Sequence, residues 1–98
     1  MMLDKIKDLM EMKRQAEKIQ HELDTTIIEV ADTPGVRISI SGSQKVQSIA
    51  LDGQLLKDAP KEEIEKKLLN SVNIAIRQSQ GLAASKMKQV TGFNIPGL

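Results

Sequence analysis

One long helix constrains the fold of this chain more than any other feature. Residues 60–90 read as a helix of about 30 residues, or about 45 Å at 1.5 Å per residue. Pro60 suits the first helical turn, where its missing N–H is not needed, and the glutamates that follow favour the positive end of the helix dipole. Its first apolar face, at steps of three or four, is formed by Ile64, Leu68, Val72, Ala75, Ser79 and Leu82. A second line of Leu69, Ile76, Ala83, Met87 and Val90 makes the stripe wider than one partner surface needs.

The predicted helix has an uneven charge distribution and an internal glycine. After Glu65 the chain contains no further Asp or Glu, while its cations are Lys66, Lys67, Arg77, Lys86 and Lys88. Gly81 lies inside the predicted helix and costs about 1 kcal/mol relative to Ala. It marks a bend, a close backbone contact, or the end of the helix proper.

A second helix is predicted at the start of the chain, over residues 1–23. Its apolar residues follow one another at steps averaging 3.5, which is typical of a coiled-coil seam: Met2, Ile6, Leu9, Met12, Ala16, Ile19 and Leu23. So long a helix is difficult to cover within 98 residues. We expect it to pack along the other helix or along a second copy of itself.

Residues 25–51 have the period of a β-sheet. Thr25–Ala31 is rich in β-branched residues, Val36, Ile38 and Ile40 alternate with polar residues, and residues 45–51 form a third strand with room for a bulge. Thr33-Pro34-Gly35-Val36 fits a type II turn, and residues 41–44 make the next turn. We therefore predict a single α+β domain over residues 1–98, with the order α-β-β-β-α, a three-stranded antiparallel meander and a tail at 91–98. Leu55 and Leu56 are expected to pin the connection before the last helix to the core.

Composition and charge limit the classes of protein to which this chain can belong. The net charge is +1, but residues 60–98 hold six basic and three acidic side chains, which hints at anionic partners. The chain has no cysteine, no apolar segment resembling a signal peptide and no run approaching the roughly 20 residues of a membrane span. A cytoplasmic protein without membrane contact is the default expectation.

The sequence offers little for catalysis. His21 is the only histidine and reads as an exposed helix residue, and no serine has a base at a recognisable spacing. No phosphate-cradling glycine loop occurs. We predict no enzyme activity, no catalytic or metal-binding residue, no cofactor and no small-molecule substrate.

Nucleic-acid binding is supported only in one form. Phe93 is the single aromatic residue, so the stacking platforms that single strands require are missing. The remaining possibility is duplex DNA held through its phosphates by Lys and Arg on projecting helices.

Several stretches resemble the YbaB/EbfC family of small bacterial nucleoid-associated proteins. The resemblance is carried by Gly35-Val36-Arg37-Ile38-Ser39-Ile40-Ser41-Gly42, Leu55-Leu56, Asn73-Ile74-Ala75, and Lys86-Met87 through Thr91-Gly92 to Pro96-Gly97. The first helix, rich in Lys, Gln and Met, fits as well, so the similarity spans nearly the whole chain.

The resemblance implies a tweezer-like homodimer that binds double-stranded DNA in the bacterial nucleoid, with a role in nucleoid organisation and gene regulation. The DNA-contacting residues that it implies, by position on the first and last helices, are Lys13, Arg14, Lys18, Arg77, Lys86 and Lys88. The alternative is a protein-interaction adaptor without direct DNA binding. A DNA binder should place its cations on one continuous surface of the dimer, whereas an adaptor should show an uncovered apolar groove.

Overall fold

The computed structural model describes residues 2–91, with side chains described for residues 5–89. The elements in order are α1 (Met2–Thr25), β1 (Ile27–Val30), β2 (Val36–Ser41), β3 (Val46–Leu51), α2 (Gly53–Asp58) and α3 (Lys61–Thr91). The fold is elongated, 68 × 25 × 16 Å, because both long helices extend beyond the short strands. The α+β order α-β-β-β-α is confirmed. Except for Thr91, which ends α3, the predicted tail lies outside the described residues.

The first helix is two residues longer than predicted, and β1 correspondingly starts later. The hydroxyl of Thr25 donates to the carbonyl of His21, and both the N–H and the hydroxyl of Thr26 donate to the carbonyl of Glu22. These bonds give the carbonyls of the last helical turn additional hydroxyl donors. The β-branched threonines therefore close the helix and do not begin the strand.

The predicted antiparallel meander is confirmed, with strand order β1-β2-β3. Gly35 has φ +85° and the Val36 N–H donates to the Thr33 carbonyl at 3.1 Å, as a type II turn requires. The predicted bulge is also present, because Ser39 pairs with Ser48 whereas Ile40 pairs with Val46. In the second turn the left-handed residue is Gln44, at φ 67°.

A short helix, which the sequence pattern did not identify, forms the connection after β3. In α2 the Ala59 N–H donates to the Leu55 carbonyl at 3.0 Å. Leu55 packs beside Gly35, where an added Cβ would lie 3.0 Å from the leucine side chain. Pro60 then precedes α3 and does not begin it. Its carbonyl accepts the N–H groups of Glu63 and Ile64.

The core lies between α3 and the first two strands. Val30, Val36, Ile38 and Ile40 are buried beneath Ala75. Ser71 and Ser79 lie one turn to either side of Ala75 and are also buried, so a row of small side chains lets α3 approach the sheet closely. The first predicted face of this helix is confirmed, since all six of its members are buried or half-buried. In the second line Ile76 and Ala83 are half-buried, whereas Leu69 is 64% exposed.

Gly81 lies within α3, which continues to Thr91. The interpretation of Gly81 as the helix end is therefore wrong. A Cβ at this position would meet nothing within 4 Å, so among the described residues no backbone approaches it closely.

Two regions follow from this packing. We call the sheet with α2 and α3 up to Gln80 the body, and α1 up to Glu22 with α3 from Leu82 onward the arm. Along α1, Ile19 and Leu23 are buried, but Ile6, Leu9 and Met12 of the predicted seam are exposed. Among the described residues the seam is therefore covered only towards the end of α1, at Ile19 and Leu23.

Candidate nucleic-acid interface

The arm begins at a junction of three elements around Gly42. A Cβ at this glycine would lie 2.9 Å from Leu23 of α1 and 3.1 Å from Leu82 of α3. Beyond this point Met87 of α3 lies beside Ala16 and Ile19 of α1. Because higher numbers on α3 meet lower numbers on α1, the two helices run antiparallel away from the sheet.

An ion pair joins the two helices of the arm. The Lys86 ammonium lies 3.4 Å from the Glu22 carboxylate, and the two side chains are 31% and 38% exposed. A pair this exposed contributes at most about 1 kcal/mol to stability. It does hold the Lys86 cation on the α1 side of α3.

Arg14 and Lys18 share one flank of α1, because they are one helical turn apart. They line a groove of about 350 Å³, which we call the polar groove; its full lining is Glu11, Arg14, Gln15, Lys18, Ile19 and Glu22. Arg14 lies 3.4 Å from Glu11, but the two side chains are 74% and 56% exposed, so this pair constrains the guanidinium weakly. Through Glu22, Lys86 reaches the same groove.

The structure does not bring the other predicted cations to this groove. Lys13 precedes Arg14 by one residue, about 100° around the helix, and does not line the groove. Arg77 and Lys88 are both exposed and lie about three turns apart on the same face of α3. Lys86 lies on the opposite side of that helix from Lys88. The six predicted residues are thus distributed over three surfaces of the chain.

The adjoining flank of the arm is more apolar and shares Gln15 and Ile19 with the polar groove. It forms a groove of about 360 Å³ lined by Met12, Gln15, Ala16, Ile19, Gln20, Leu23 and Met87. Met12 is 60% exposed and Leu9, one turn nearer the start of α1, is 65% exposed. The described residues therefore include an apolar groove, as expected of an adaptor, whereas the six predicted cations do not form the one continuous surface expected of a DNA binder.

Acidic residues collect at the far end of the body. Asp52, Asp58 and Glu63 line one shallow pocket with Lys67, and Glu62 lies in the first turn of α3. Lys57, Lys61 and Lys66 belong to the same stretch of chain, and Lys61 pairs with Glu65. The charge of this end is therefore nearly balanced, while the cations listed above lie on or near the arm.

The junction contains one perturbed carboxylate. A hydrogen bond from Ser43 holds the pKa of Asp24 below its ordinary value, despite opposing desolvation, with help from Gln20, Lys45 and His21. The Gln20 amide donates to Asp24 at 3.1 Å. Asp24 thus ties the end of α1 to the turn after β2, and the polar contacts explain its ionisation without a catalytic role.

Sequence reasoning did not identify Glu22 as part of this site. Its partner Lys86 is 64 positions away, so no local spacing signals the pair. His21, as predicted, is exposed on α1. Among the residues that the structure describes, no group of three His, Cys, Asp or Glu side chains could hold a metal ion. Nor does any helix within that range have the length and apolar character needed to cross a membrane.

Comparison with known proteins identifies the family of this chain. A nucleoid-associated protein of Chloroflexus aurantiacus is 34% identical over 83 residues, covering 84% of this chain and 83% of the relative. One from Caldanaerobacter subterraneus is 33% identical over 95 residues, covering 95% and 86%. The crystal structure of an uncharacterized protein from Helicobacter pylori shares the fold at a TM-score of 0.72 and 20% identity, covering 83% of this chain and 86% of that one. The sequence profile of the YbaB/EbfC DNA-binding family matches residues 1–93, and the chain belongs to that family.

Proposed function

We propose that this protein binds double-stranded DNA as a homodimer, mainly through backbone phosphates and with low to moderate sequence preference. Its place would be the nucleoid in the bacterial cytoplasm, with a role in nucleoid organisation and gene regulation. The observation that carries the proposal is the polar groove, where Arg14 and Lys18 lie on one flank of a projecting arm and Lys86 is held close by. Family membership supplies the ligand class.

Phosphate contacts fit these side chains better than base contacts do. Arg14 is 74% exposed on a long, straight helix, and its guanidinium can donate two parallel hydrogen bonds to a phosphate. The described residues include no aromatic side chain that could stack on bases. Contacts of this type depend strongly on salt and tolerate many sequences.

The uncovered face of β3 supports the homodimer. Ile49 pairs with Ile38 and Val46 pairs with Ile40, so all four side chains point to the helix side of the sheet. Ile38 and Ile40 are fully buried, whereas Ile49 is 50% and Val46 43% exposed, because α3 crosses β1 and β2. A second copy on this strip would bury both side chains and present two arms to one duplex.

The direct test is the affinity for a random-sequence duplex at about 50 and 200 mM salt. We expect the binding constant to fall steeply over this range, with a slope in log–log form of about −0.9 per phosphate contact. Arg14→Gln with Lys18→Gln should weaken binding about tenfold or more at the lower salt and flatten that slope. The matched control is Lys57→Gln with Lys61→Gln, which removes the same charge from the body and should change little.

A second pair of variants separates the surfaces. Arg77→Gln with Lys88→Gln removes the cations of the outer α3 face and leaves the polar groove intact. If this pair abolishes binding and the Arg14 and Lys18 pair does not, then DNA lies on the outer face of α3 and the assignment to the polar groove is wrong.

Glu22 should oppose DNA binding, because its carboxylate competes with phosphate for Lys86. Glu22→Gln is expected to raise affinity severalfold at low salt, and Lys86→Gln in the same chain should cancel that gain. If the gain in affinity persists in the Lys86→Gln background, it arises from the removal of a negative charge in general and not from the release of Lys86.

One specific observation, the apolar flank of the arm, supports the adaptor hypothesis. If the folded protein binds no duplex even at about 50 mM salt, the adaptor becomes the preferred function. Size-exclusion chromatography with light scattering would test the homodimer independently of either outcome.

A further inference from the structure

One face of α3 carries cations at a regular interval. Lys66, Arg77 and Lys88 follow one another at steps of 11 residues, and all three are exposed. Eleven residues are about 20° more than three turns of an α-helix, so these side chains share one face. Each step is about 16 Å long, and Lys66 is about 33 Å from Lys88 along the helix axis. We call these three cations the outer row.

No carboxylate neutralises the outer row within the part of the chain that the structure describes. None of the ion pairs found there includes a cation of the row. Glu62 and Glu63 lie in the first turn of α3, and beyond Glu65 the sequence has no Asp or Glu. The face between the cations carries only uncharged residues, which are Asn70, Asn73, Gln80, Gly81 and Ala84. From Lys66 onwards, a polyanion therefore meets cations and no negative charge on this face.

The length of the outer row matches the repeat of B-DNA. Each strand returns to the same side of the duplex after one helical turn, which is about 34 Å. When α3 lies along the duplex axis, Lys66 and Lys88 therefore reach phosphates of one strand that are a full turn apart. The other strand crosses the same line once between them, and Arg77 lies about midway. The three cations can thus contact both strands at once.

The packing of α3 favours this orientation. Its opposite side is covered by the sheet, against which Ser71, Ala75 and Ser79 are buried. The major groove admits an α-helix, but the groove winds round the duplex, so a straight helix leaves it after a short distance. The outer row spans about six helical turns and cannot follow the groove over that length. A helix held on the sheet in this way meets the duplex lengthwise, across successive grooves.

We propose that the outer row is a second duplex-binding surface, on which α3 lies along the DNA axis and holds phosphates one full turn apart. Its ligand class, duplex DNA, rests on the proposed function, whereas its orientation and length come from the spacing of the row. Arg77 and Lys88 face away from the polar groove, so the two surfaces hold different stretches of duplex. Because the contacts are to phosphates, this surface needs about 10 base pairs or more and reads no sequence directly.

The dependence of affinity on duplex length tests the one-turn spacing. The probes are hairpin stems of about 7 and 14 base pairs, or roughly 24 and 48 Å, at about 50 mM salt. The shorter stem cannot reach Lys66 and Lys88 together, so Lys88→Gln should weaken its binding at most about twofold. On the longer stem the same substitution should weaken binding about tenfold, because one phosphate contact is lost. Equal losses on the two stems would overturn the proposal.

Lys67 supplies a matched control for Lys66. It is the next residue, about 100° round the helix, and it lines the shallow pocket with Asp52, Asp58 and Glu63. Lys66→Gln should weaken binding to the longer stem about tenfold, whereas Lys67→Gln, which removes the same charge, should change it less than about twofold. If both variants lose the same affinity, the duplex responds only to net charge and the outer row is not a binding surface.

The salt dependence separates this surface from DNA binding in general. Lys66→Gln, Arg77→Gln and Lys88→Gln in one chain should flatten the log–log salt slope on a long random-sequence duplex by about 2.7, or about 0.9 for each phosphate contact. Circular dichroism checks that the triple variant is folded. An unchanged slope in a folded triple variant that still binds DNA would overturn the outer row alone and leave the proposed function standing. Absence of duplex binding by the unsubstituted protein would overturn both.

Discussion

In the body, Ile38 and Ile40 have no exposed surface, whereas Ile6 and Leu9 in the arm are 52% and 65% exposed. The two regions use similar side chains, but α3 covers Ile38 and Ile40, whereas among the described residues no second layer covers Ile6 and Leu9. The covered residues therefore contribute to folding within one chain, and the exposed ones of the arm remain available to another molecule. Three pairs of matched substitutions and one single substitution test this difference.

The largest expected effect comes from charging an isoleucine in each region. Ile38→Asp places a carboxylate in the core and should cost more than about 4 kcal/mol, enough to unfold a domain of this size. Ile6→Asp in the arm should cost less than about 1 kcal/mol. Thermal or denaturant unfolding followed by circular dichroism measures both. A folded Ile38→Asp protein with wild-type stability would contradict the burial of β2.

The two glycines at the border of the regions should respond with opposite signs. Gly42→Ala forces a methyl group against Leu23 and Leu82 and should destabilise the protein by about 1–3 kcal/mol. Gly81→Ala fills open space in a helix and should stabilise it by up to about 1 kcal/mol. Urea titrations give both values. If Gly81→Ala instead weakens the protein or its DNA binding, a partner must approach this part of α3.

Two buried serines on α3 sharpen the comparison within the body. The Ser79 hydroxyl donates to the Ser41 carbonyl at 2.8 Å and accepts the Gln44 N–H at 3.1 Å, so Ser79→Ala should cost about 1–3 kcal/mol. The Ser71 hydroxyl is buried and has no hydrogen-bond partner among the described residues. Ser71→Ala should be neutral or stabilising by about 1 kcal/mol, by the same urea titration. Equal losses in the two variants would argue against this assignment of hydrogen bonds.

The smallest expected effect is the pH dependence at the junction. The pKa of Asp24 in the folded protein is below its ordinary value of 3.8. A lowered pKa stabilises the folded state at pH values above the pKa of the unfolded chain. This contribution disappears as the pH falls through the pKa of the folded protein. Asp24→Asn should therefore lower Tm slightly near neutral pH and not at the acidic end of a titration. A difference that persists unchanged to the lowest pH would show that it does not arise from ionisation.

Local sequence signals were sufficient for most of the fold. The period of three or four identified the buried face of α3, and alternation identified Val36, Ile38 and Ile40 as core residues of β2. Pro34 and Gly35 specified their turn because glycine adopts the positive φ that a type II turn needs. The sequence pattern did not identify α2, whose six residues are too few to show a helical period.

The candidate site was less predictable, because it depends on contacts between distant parts of the chain. Helical spacing places Arg14 and Lys18 on one flank of α1, but nothing local shows that Glu22 holds Lys86 on the same side. The positions of the cations along the sequence likewise did not reveal that Arg77 and Lys88 face away from the polar groove. The site assignments stay predictions that the paired glutamine variants would decide.

The sequence by itself determined the order of helices and strands, their periodic faces and the family, since these depend on neighbouring residues and on chemistry carried along the chain. Only the tertiary structure decided which apolar faces are covered and how the cations divide between surfaces. The physical reason is that coverage depends on where a second element crosses: α3 lies over β1 and β2, leaves Val46 and Ile49 of β3 exposed, and meets only part of α1.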